Sequence, residues 1–399
     1  MNDSKPIIIA GGGIGGLAAA RMLAIKGRKS IVLEQAPEFG EIGAGIQLGP
    51  NTHRMFDRLQ VTKDMHKIAH FPENIVMMDS LSGEEILKMP LGAKLEAYFG
   101  KPYAVIHRAD LHAVLLKACM KMNEIDLRTG VAVSNFTPTN TGIAVDTENG
   151  QTFEGSGLIG ADGLWSKIRG EIIGDGDPIV SGHIAYRAVL PVNEVPAALD
   201  KWMEDVVLWA GPRNHLVHYK LRRGELFNIV AVFHSKKYVE GWNEFGDPAE
   251  LYEHFKGVQP EVQALLKKIN VWKMWVLCDR SPAKEWTDGR VTLIGDAAHP
   301  MLQYLAAGAG MAMEDAVCLV DLLEKHDGKI EAAFAEYPRR RYLRTGRVQL
   351  TARYYGYIYH AEGVKRELRN LIIGGKQNGN PYAGIEWLYG KNSDQIGGI

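Results

Sequence analysis

The stretch that most limits what this chain can become runs from Pro6 to Glu34. Pro6 to Ala10 is a compact apolar run and predicts a central strand. Gly11-Gly12-Gly13-Ile14-Gly15-Gly16 follows at once, so Gly11, Gly13 and Gly16 stand at G-x-G-x-x-G spacing. LAAARMLAIKG then predicts a helix ending at Gly27, and Ser30 to Leu33 the next strand, with Glu34 at its end, 18 residues past Gly16. The order strand, glycines, helix, strand, acid is what a dinucleotide site needs. The glycines allow a tight turn, a close approach to pyrophosphate and a tight helix–strand contact, and the carboxylate accepts hydrogen bonds from ribose hydroxyls. A tight turn with no ligand would need only part of that pattern.

A second stretch points the same way. In Arg290 to Asp315, RVTLIGDAAHPMLQYLAAGAGMAMED, Val291, Leu293 and Ile294 read as a short buried strand ended by Gly295-Asp296. Small residues from Ala306 to Gly310 follow, then an apolar-periodic segment from Met311, with Ala312 to Lys325 read as helix. Small side chains let a flat ligand approach the backbone, and a helix start offers unpaired N–H groups to anions.

Composition narrows the rest. The 399 residues carry a net charge of -1, which gives no global case for nucleic acid or an anionic membrane surface. Cys119, Cys278 and Cys318 are scattered and odd in number, so neither a disulfide framework nor a zinc cluster is expected, and a reducing cytoplasmic setting is the simple reading. The N-terminal apolar run is too short and Gly-broken for a signal peptide or a membrane span, so no integral membrane association is expected.

Between the two nucleotide signatures the pattern changes. EIGAGIQLGPN, from Glu41 to Asn51, reads as a Gly-rich stretch too irregular for an element, with Gln47 as a polar handle or plain surface loop. Tyr103 to His107 reads as a strand, followed by Arg108 and an amphipathic helix with apolar spacing 111, 115, 116 and 119. Leu127 to Phe136 and Gly142 to Asp146 read as strands. Asp162-Gly163 with Ser166 and Arg169 gives D-G-x-x-S-x-x-R, either a phosphate contact or a capped helix start. From Ser181 to His234 four strand-like segments predict an antiparallel sheet interrupting the nucleotide fold. Alternation in HLVHYKL puts His215, Val217 and Tyr219 on one face. Residues 248 to 268 read as helical and Val271 to Leu277 as a strand. Pro338 is expected to interrupt a helical region, Arg339-Arg340-Arg341 to form a solvated face, and Tyr354, Tyr355, Tyr357 and Tyr359 to make packing or dimer contacts. The implied domains are 1–180, a first nucleotide-binding part that takes in strands of the second domain near 70–106; 181–280, an antiparallel-sheet domain; 281–330, the second nucleotide-binding part; and 331–399, a helical region.

GGGIGG with Glu34, ADGLWSKIR and GDAAHP stand in the right order, and together they resemble the single-component FAD-dependent aromatic hydroxylases. That resemblance implies a Rossmann-like α/β FAD domain interrupted by an antiparallel-sheet substrate domain, with C-terminal helices. It implies that Gly11, Gly13, Ile14, Gly15 and Gly16 hold the FAD pyrophosphate. Glu34 and Gln35 would lie at the adenosine ribose, and Gly45, Gln47 and Arg108 along the cofactor. Asp162 would serve FAD and the nicotinamide donor, Asp296 the ribityl or pyrophosphate region, and Gly308 and Ala309 the isoalloxazine ring. The chain departs from the commonest pattern after GDAAHP: Gln303 stands where many members have Pro, and Ala306-Ala307 where they have Gly-Gln. With GPRNHLVHY and WLYG, this variant is similar to the branch acting on 3-hydroxybenzoate. It implies NADH, O2, a flavin C4a-hydroperoxide, gentisate as product and a homodimer. His215 would be the catalytic base, Gln303 the residue orienting the substrate, and Tyr219 a wall of its pocket. Hydroxylation of salicylate or a hydroxynicotinate, an FAD-dependent NADH oxidase or reductase, and an FAD-binding module with a structural role stay open as alternatives.

Overall fold

The computed structural model describes residues 5–40, 43–236, 244–375 and 379–390. Its nucleotide half is a six-stranded sheet in the order Thr287–Asp288, Val291–Leu293, Gly157–Gly160, Ile7–Ala10, Ser30–Leu33, Ile125–Arg128. All neighbours are parallel except the first pair. Parallel strands are covered on both faces, so they read as continuous apolar runs; Ile7 to Ala10 is buried throughout. Helices Ile14–Ile25 and Gly308–Lys325 pack against each other and belong to the same core.

The second half is an eight-stranded sheet. Its order is Glu244–Phe245, Lys273–Asp279, Ile179–Pro191, Leu226–His234, Asn214–Leu221, Asp205–Gly211, Asn74–Asp79, Glu85–Pro90. Register decides what each face carries. His215 pairs with Val232 and Val232's neighbour across the sheet is Ala185; Val217 pairs with Val230, and Val230 with Arg187. Paired residues share a face, so His215, Tyr219 and Arg187 look the same way. The opposite face presents Ile184, Leu216, Ile229, Ala231 and Phe233 to Leu251, Val262 and Leu265 of helices Pro248–His254 and Pro260–Leu266. One face is thus sealed by helices, and the other is turned toward the nucleotide half.

Several expectations change. The stretch 41–51 is not structureless: Gly45–Leu48 is a strand paired antiparallel with Ala104–His107, and helix Pro50–Arg58 starts on its proline. Glu41 and Ile42 lie outside the described residues. The run 127–136 divides into strands Ile125–Arg128 and Val133–Thr139, and 248–268 into two short helices. Pro338 does not interrupt its helix, which runs unbroken from Ile330 to Tyr359 over 30 residues. Proline frees the carbonyl four residues back; that carbonyl, on Phe334, accepts the Thr287 hydroxyl at 3.1 Å instead. Arg341 is no solvated residue: it is 2% exposed and ion-paired with Glu314 and Asp315. Arg169 is also buried, and its guanidinium is spent on Asp175 and on the carbonyls of Ala297 and Ala298, so it has no reach to a phosphate. Among the described residues no helix is long and apolar enough to cross a membrane.

Candidate active site

Two helix starts converge at the nucleotide end. Helix Ile14–Ile25 has no side-chain cap and no acid in its first turn, and neither has helix Gly308–Lys325. A methyl on Gly15 would meet the Ala312 methyl at 3.4 Å, so the first turns of the two helices are neighbours. Uncapped helix ends carry unpaired N–H groups and a partial positive charge, and they call for an anionic partner. Gly11 is demanded by the backbone: its φ is 108° and a Cβ would lie 2.2 Å from the Ala161 carbonyl oxygen. At Gly16 a Cβ would lie 2.0 Å from the Gly11 carbonyl oxygen, so the helix can seat on the loop only without one.

The carboxylate of Glu34 holds this loop. One oxygen accepts the Gly12 N–H at 2.8 Å and the other the Ala36 N–H at 2.8 Å. Gln35 beside it is exposed. Asp162 accepts the Ser166 hydroxyl at 2.6 Å, and Ser166 in turn caps its helix by accepting the Arg169 N–H at 2.9 Å. Burial raises the Asp162 pKa, with the Ser166 hydrogen bond opposing. Asp296 is exposed at the cleft, next to Gly308, where a Cβ would sit 3.9 Å from its carboxylate. Despite that exposure, the protein around it raises its pKa; Arg108 and His299 pull the other way.

Beneath Gly295 and Asp296 lies a buried ionic network. Asp315 accepts the Gly295 N–H at 3.0 Å, His299 Nε2 at 2.5 Å and Arg341 Nε at 2.7 Å. Glu314 takes Arg341 at 2.8 Å, Arg344 at 2.6 Å and the Asn51 amide at 2.9 Å. Burial pushes the Glu314 carboxyl up, but the charges of Arg344 and Arg341 outweigh it and leave the pKa lowered to about 2. Arg344 also binds the carbonyls of Trp387 and Leu388, which ties the last described helix to the same centre.

The sheet and the nucleotide half meet through the strand Gly45–Leu48. Gly45 N–H donates to the Asn228 side chain at 2.8 Å, and a Cβ on Gly45 would lie 2.6 Å from the Tyr219 ring. Gln47 accepts the Tyr103 hydroxyl and also bonds Tyr219, whose own pKa is raised by burial against the pull of Arg187 and Gln47. His215 is buried; its Nδ1 lies 2.7 Å from His360 Nε2, and its ring is 5.4 Å from that of Tyr304. Burial lowers the His215 pKa to about 3, helped by His183, so its imidazole is neutral at ordinary pH. Gln303 accepts a hydrogen bond from Arg187 Nη2.

Arg187 is the residue the sequence did not single out. It is half-buried with its guanidinium 4.7 Å over the Trp275 ring. Its Nε is buried without a partner, and among the described residues no carboxylate pairs with it. Burial lowers its pKa to about 10; Tyr219 opposes this and Arg108 adds to it. A cation this enclosed and lacking an anion is costly unless an anion arrives. Its only sequence signal was a charge in mid-strand within HIAYRAVL.

The cleft therefore has uncapped helix ends on one wall and a row of His215, Tyr219, Arg187 and Gln303 on the other. The family model described as FAD binding domain matches residues 4–341. The chain belongs to this family. It is 45% identical to 3-hydroxybenzoate 6-hydroxylase 1 of Aquipseudomonas alcaligenes over 97% of this chain and 98% of that one. It is 44% identical to the 3-hydroxybenzoate 6-hydroxylase of Klebsiella oxytoca over 97% of both. A salicylate hydroxylase substrate complex superposes with a TM-score of 0.84 at 22% identity, covering 100% of this chain and 99% of that one, which shows the shared fold. Family membership makes the chain an FAD-dependent aromatic-ring monooxygenase. The residues present fit the cofactor: two neighbouring helix starts have no side-chain cap for their N–H groups, and the tight loop before the first closes only because Gly11 and Gly16 carry no Cβ.

Glu34→Ala removes two charge-assisted hydrogen bonds that shape this loop. At ~1.5–3 kcal/mol for such an interaction, FAD should bind about ten- to a hundredfold more weakly. Titrating apoprotein with FAD and following flavin fluorescence reads this directly; an unchanged affinity would remove Glu34 from the site.

Proposed function

We propose that this protein is a 3-hydroxybenzoate 6-hydroxylase. It consumes NADH, a proton and O2, places a hydroxyl para to the existing one, and yields 2,5-dihydroxybenzoate (gentisate), NAD+ and water. The observation that carries this reading is the buried, neutral His215 on the same sheet face as the unpaired cation Arg187. A phenol–carboxylate substrate needs both a base and a cation. The 45% and 44% identical relatives support the choice of substrate.

FAD, when bound, supplies the reducing equivalents and the activated oxygen. The protein does the rest. His215 has Nδ1 engaged by His360, so Nε2 is the nitrogen left to take the phenol proton. Ionising the phenol makes the ring carbons ortho and para to it strongly nucleophilic. Gln303 has its carbonyl held by Arg187, which leaves its amide N–H groups to bind the substrate and turn the para carbon toward the cofactor. Arg187 takes the carboxylate, and Tyr219 walls the pocket beside Gln47.

This reading also includes a homodimer and a cytoplasmic setting. Exposed Leu343, Leu350, Tyr354 and Tyr357, at heptad-like spacing along one helix, support the first. Three free cysteines support the second.

The test is NADH oxidation with a panel of phenolic acids, scoring hydroxylated product against H2O2. Gentisate formed from 3-hydroxybenzoate in step with NADH is the expected result. Product from salicylate or a hydroxynicotinate alone would move the protein to another substrate, and peroxide as the sole oxygen product would make it an oxidase. Arg187→Gln should raise KM for 3-hydroxybenzoate about ten- to a hundredfold, the ~1.5–3 kcal/mol of a charged hydrogen bond, and hardly change binding of 3-hydroxybenzyl alcohol. Equal losses for both compounds would take the carboxylate away from Arg187.

A further inference from the structure

We propose that His183, His234 and His360 form a site for a divalent transition-metal ion such as Zn2+, on the flank of the substrate cleft. His183 and His234 are paired across neighbouring strands with ring centroids 4.1 Å apart. His360 caps the C-terminus of the long helix Ile330–Tyr359 and brings its ring to 4.8 Å from His183 and 5.2 Å from His234. One ring nitrogen from each lies within 4.8 Å of the other two. Two nitrogens on a tetrahedral metal, each ~2.0–2.1 Å from it, stand roughly 3.4 Å apart. The half-buried rings of His183 and His234 would have to swing inward by about 1 Å to meet that distance. Three imidazoles with an open fourth position suit Zn2+, Ni2+ or Cu2+.

The state of each ring supports this. His360 is 7% exposed, and its Nδ1 is buried with no hydrogen-bond partner. An orphaned buried nitrogen is costly, and a metal would satisfy it. Its other nitrogen, Nε2, is held by His215 at 2.7 Å, and His183 Nδ1 is held by the Tyr304 hydroxyl. Metal-bound histidines are oriented in this way by a partner on the second nitrogen. Burial lowers the pKa of His183 to about 4 and that of His234 and His360 below the usual range, so the lone pairs are available at neutral pH. His234 opens onto a surface pocket of about 500 Å3 whose wall carries Asp247, Glu250 and Glu253 against Lys236; Arg213 and Glu362 also act on His234 with opposite signs, which leaves the entry net acidic.

The site has a consequence for the neighbouring base. A metal on His360 Nδ1 leaves the proton on Nε2, which must then donate to His215 Nδ1. His215 is thereby fixed with its own proton on Nε2, where it can no longer accept the phenol proton. Metal occupancy would therefore inhibit hydroxylation. This consequence rests on the function proposed above; the binding does not.

The experiment uses the full chain with FAD bound, freed of metal by a chelator and equilibrated by dialysis against Zn2+ alone. One Zn2+ per chain is expected. His234→Ala and His183→Ala should each weaken it at least about tenfold, the least that loss of a ligand should cost when a supporting residue alone costs 10–100-fold, with FAD content and melting temperature retained. Zn2+ should inhibit the wild type over the same concentration range in which it binds. His234→Ala, with unchanged metal-free turnover, should resist it. Fewer than half an equivalent bound, or wild-type affinity in both variants, would overturn the site. Stoichiometric binding without inhibition would uphold the site and overturn the link to His215. If no phenolic acid is hydroxylated, the dialysis result still decides the site.

Discussion

His215→Ala should slow ring hydroxylation by about 10²–10⁴-fold, the usual worth of a positioned acid–base group, while FAD content stays at one per chain. His215 sits on the face shared with Arg187 and Tyr219, one nitrogen is spent on His360, and burial holds the ring neutral at ordinary pH. A neutral imidazole has its lone pair free, and the phenolate formed beside it would restore the proton affinity that burial removes. With the carboxylate and ring contacts proposed for Arg187 and Tyr219, the dissociation constant for 3-hydroxybenzoate should move much less than kcat. Rapid mixing separates the two by following NADH consumption and product formation in one turnover. A variant that forms gentisate within a few-fold of the wild-type rate would end the assignment. A variant whose loss lay entirely in substrate affinity would recast His215 as a binding group.

The second large effect concerns stability. Glu314→Ala strips the carboxylate from beneath two buried guanidiniums, and removing one partner of a buried ion pair costs ~3–5 kcal/mol. Arg344 and Arg341 are 1% and 2% exposed and would be left partly unpaired. Glu336→Ala makes the control. Glu336 binds Lys325, His326 and Arg340 at the surface, where an ion pair is worth ~0–1 kcal/mol. Urea unfolding of the two variants should therefore differ severalfold in lost stability; equal losses would mean that the buried network is not structural. The pH dependence has a definite sign. The folded pKa of Glu314 is depressed to about 2, below its unfolded value of about 4.3. Its contribution is whole above the unfolded value and is lost as pH falls toward the folded one. The wild type should thus lose stability between these two values, and Glu314→Ala should lose less of it there.

How much of this was legible in the amino-acid order differs from element to element, for physical reasons. Ile7–Ala10, its glycine turn and Ser30–Leu33 follow from local chemistry, since an apolar run and a turn that only glycine can make depend on nothing distant. The common face of His215 and Tyr219 followed from strand alternation alone. Gly45–Leu48 escaped because glycine weakens strand propensity, and the pairing with Ala104–His107 outweighs that. The continuous helix through Pro338 depends on a hydroxyl at Thr287, far away in sequence. Arg169, Arg341 and Arg187 look alike as letters. Two are buried on carboxylates and carbonyls, and one is left facing the cleft, and only the partners brought by the fold separate them.

The parallel neighbours of Ile7–Ala10 include Gly157–Gly160, and the next strand beyond is Val291–Leu293. On the ribosome the first strand therefore emerges roughly 150 residues before its second neighbour, a wait of about 7–30 s at ordinary elongation rates, and Gly157–Gly160 then waits for Val291–Leu293. Throughout that interval one edge of a strand made only of apolar residues is bare. The nascent protein is then most exposed to self-association, and it gains its yellow colour only near the end of translation.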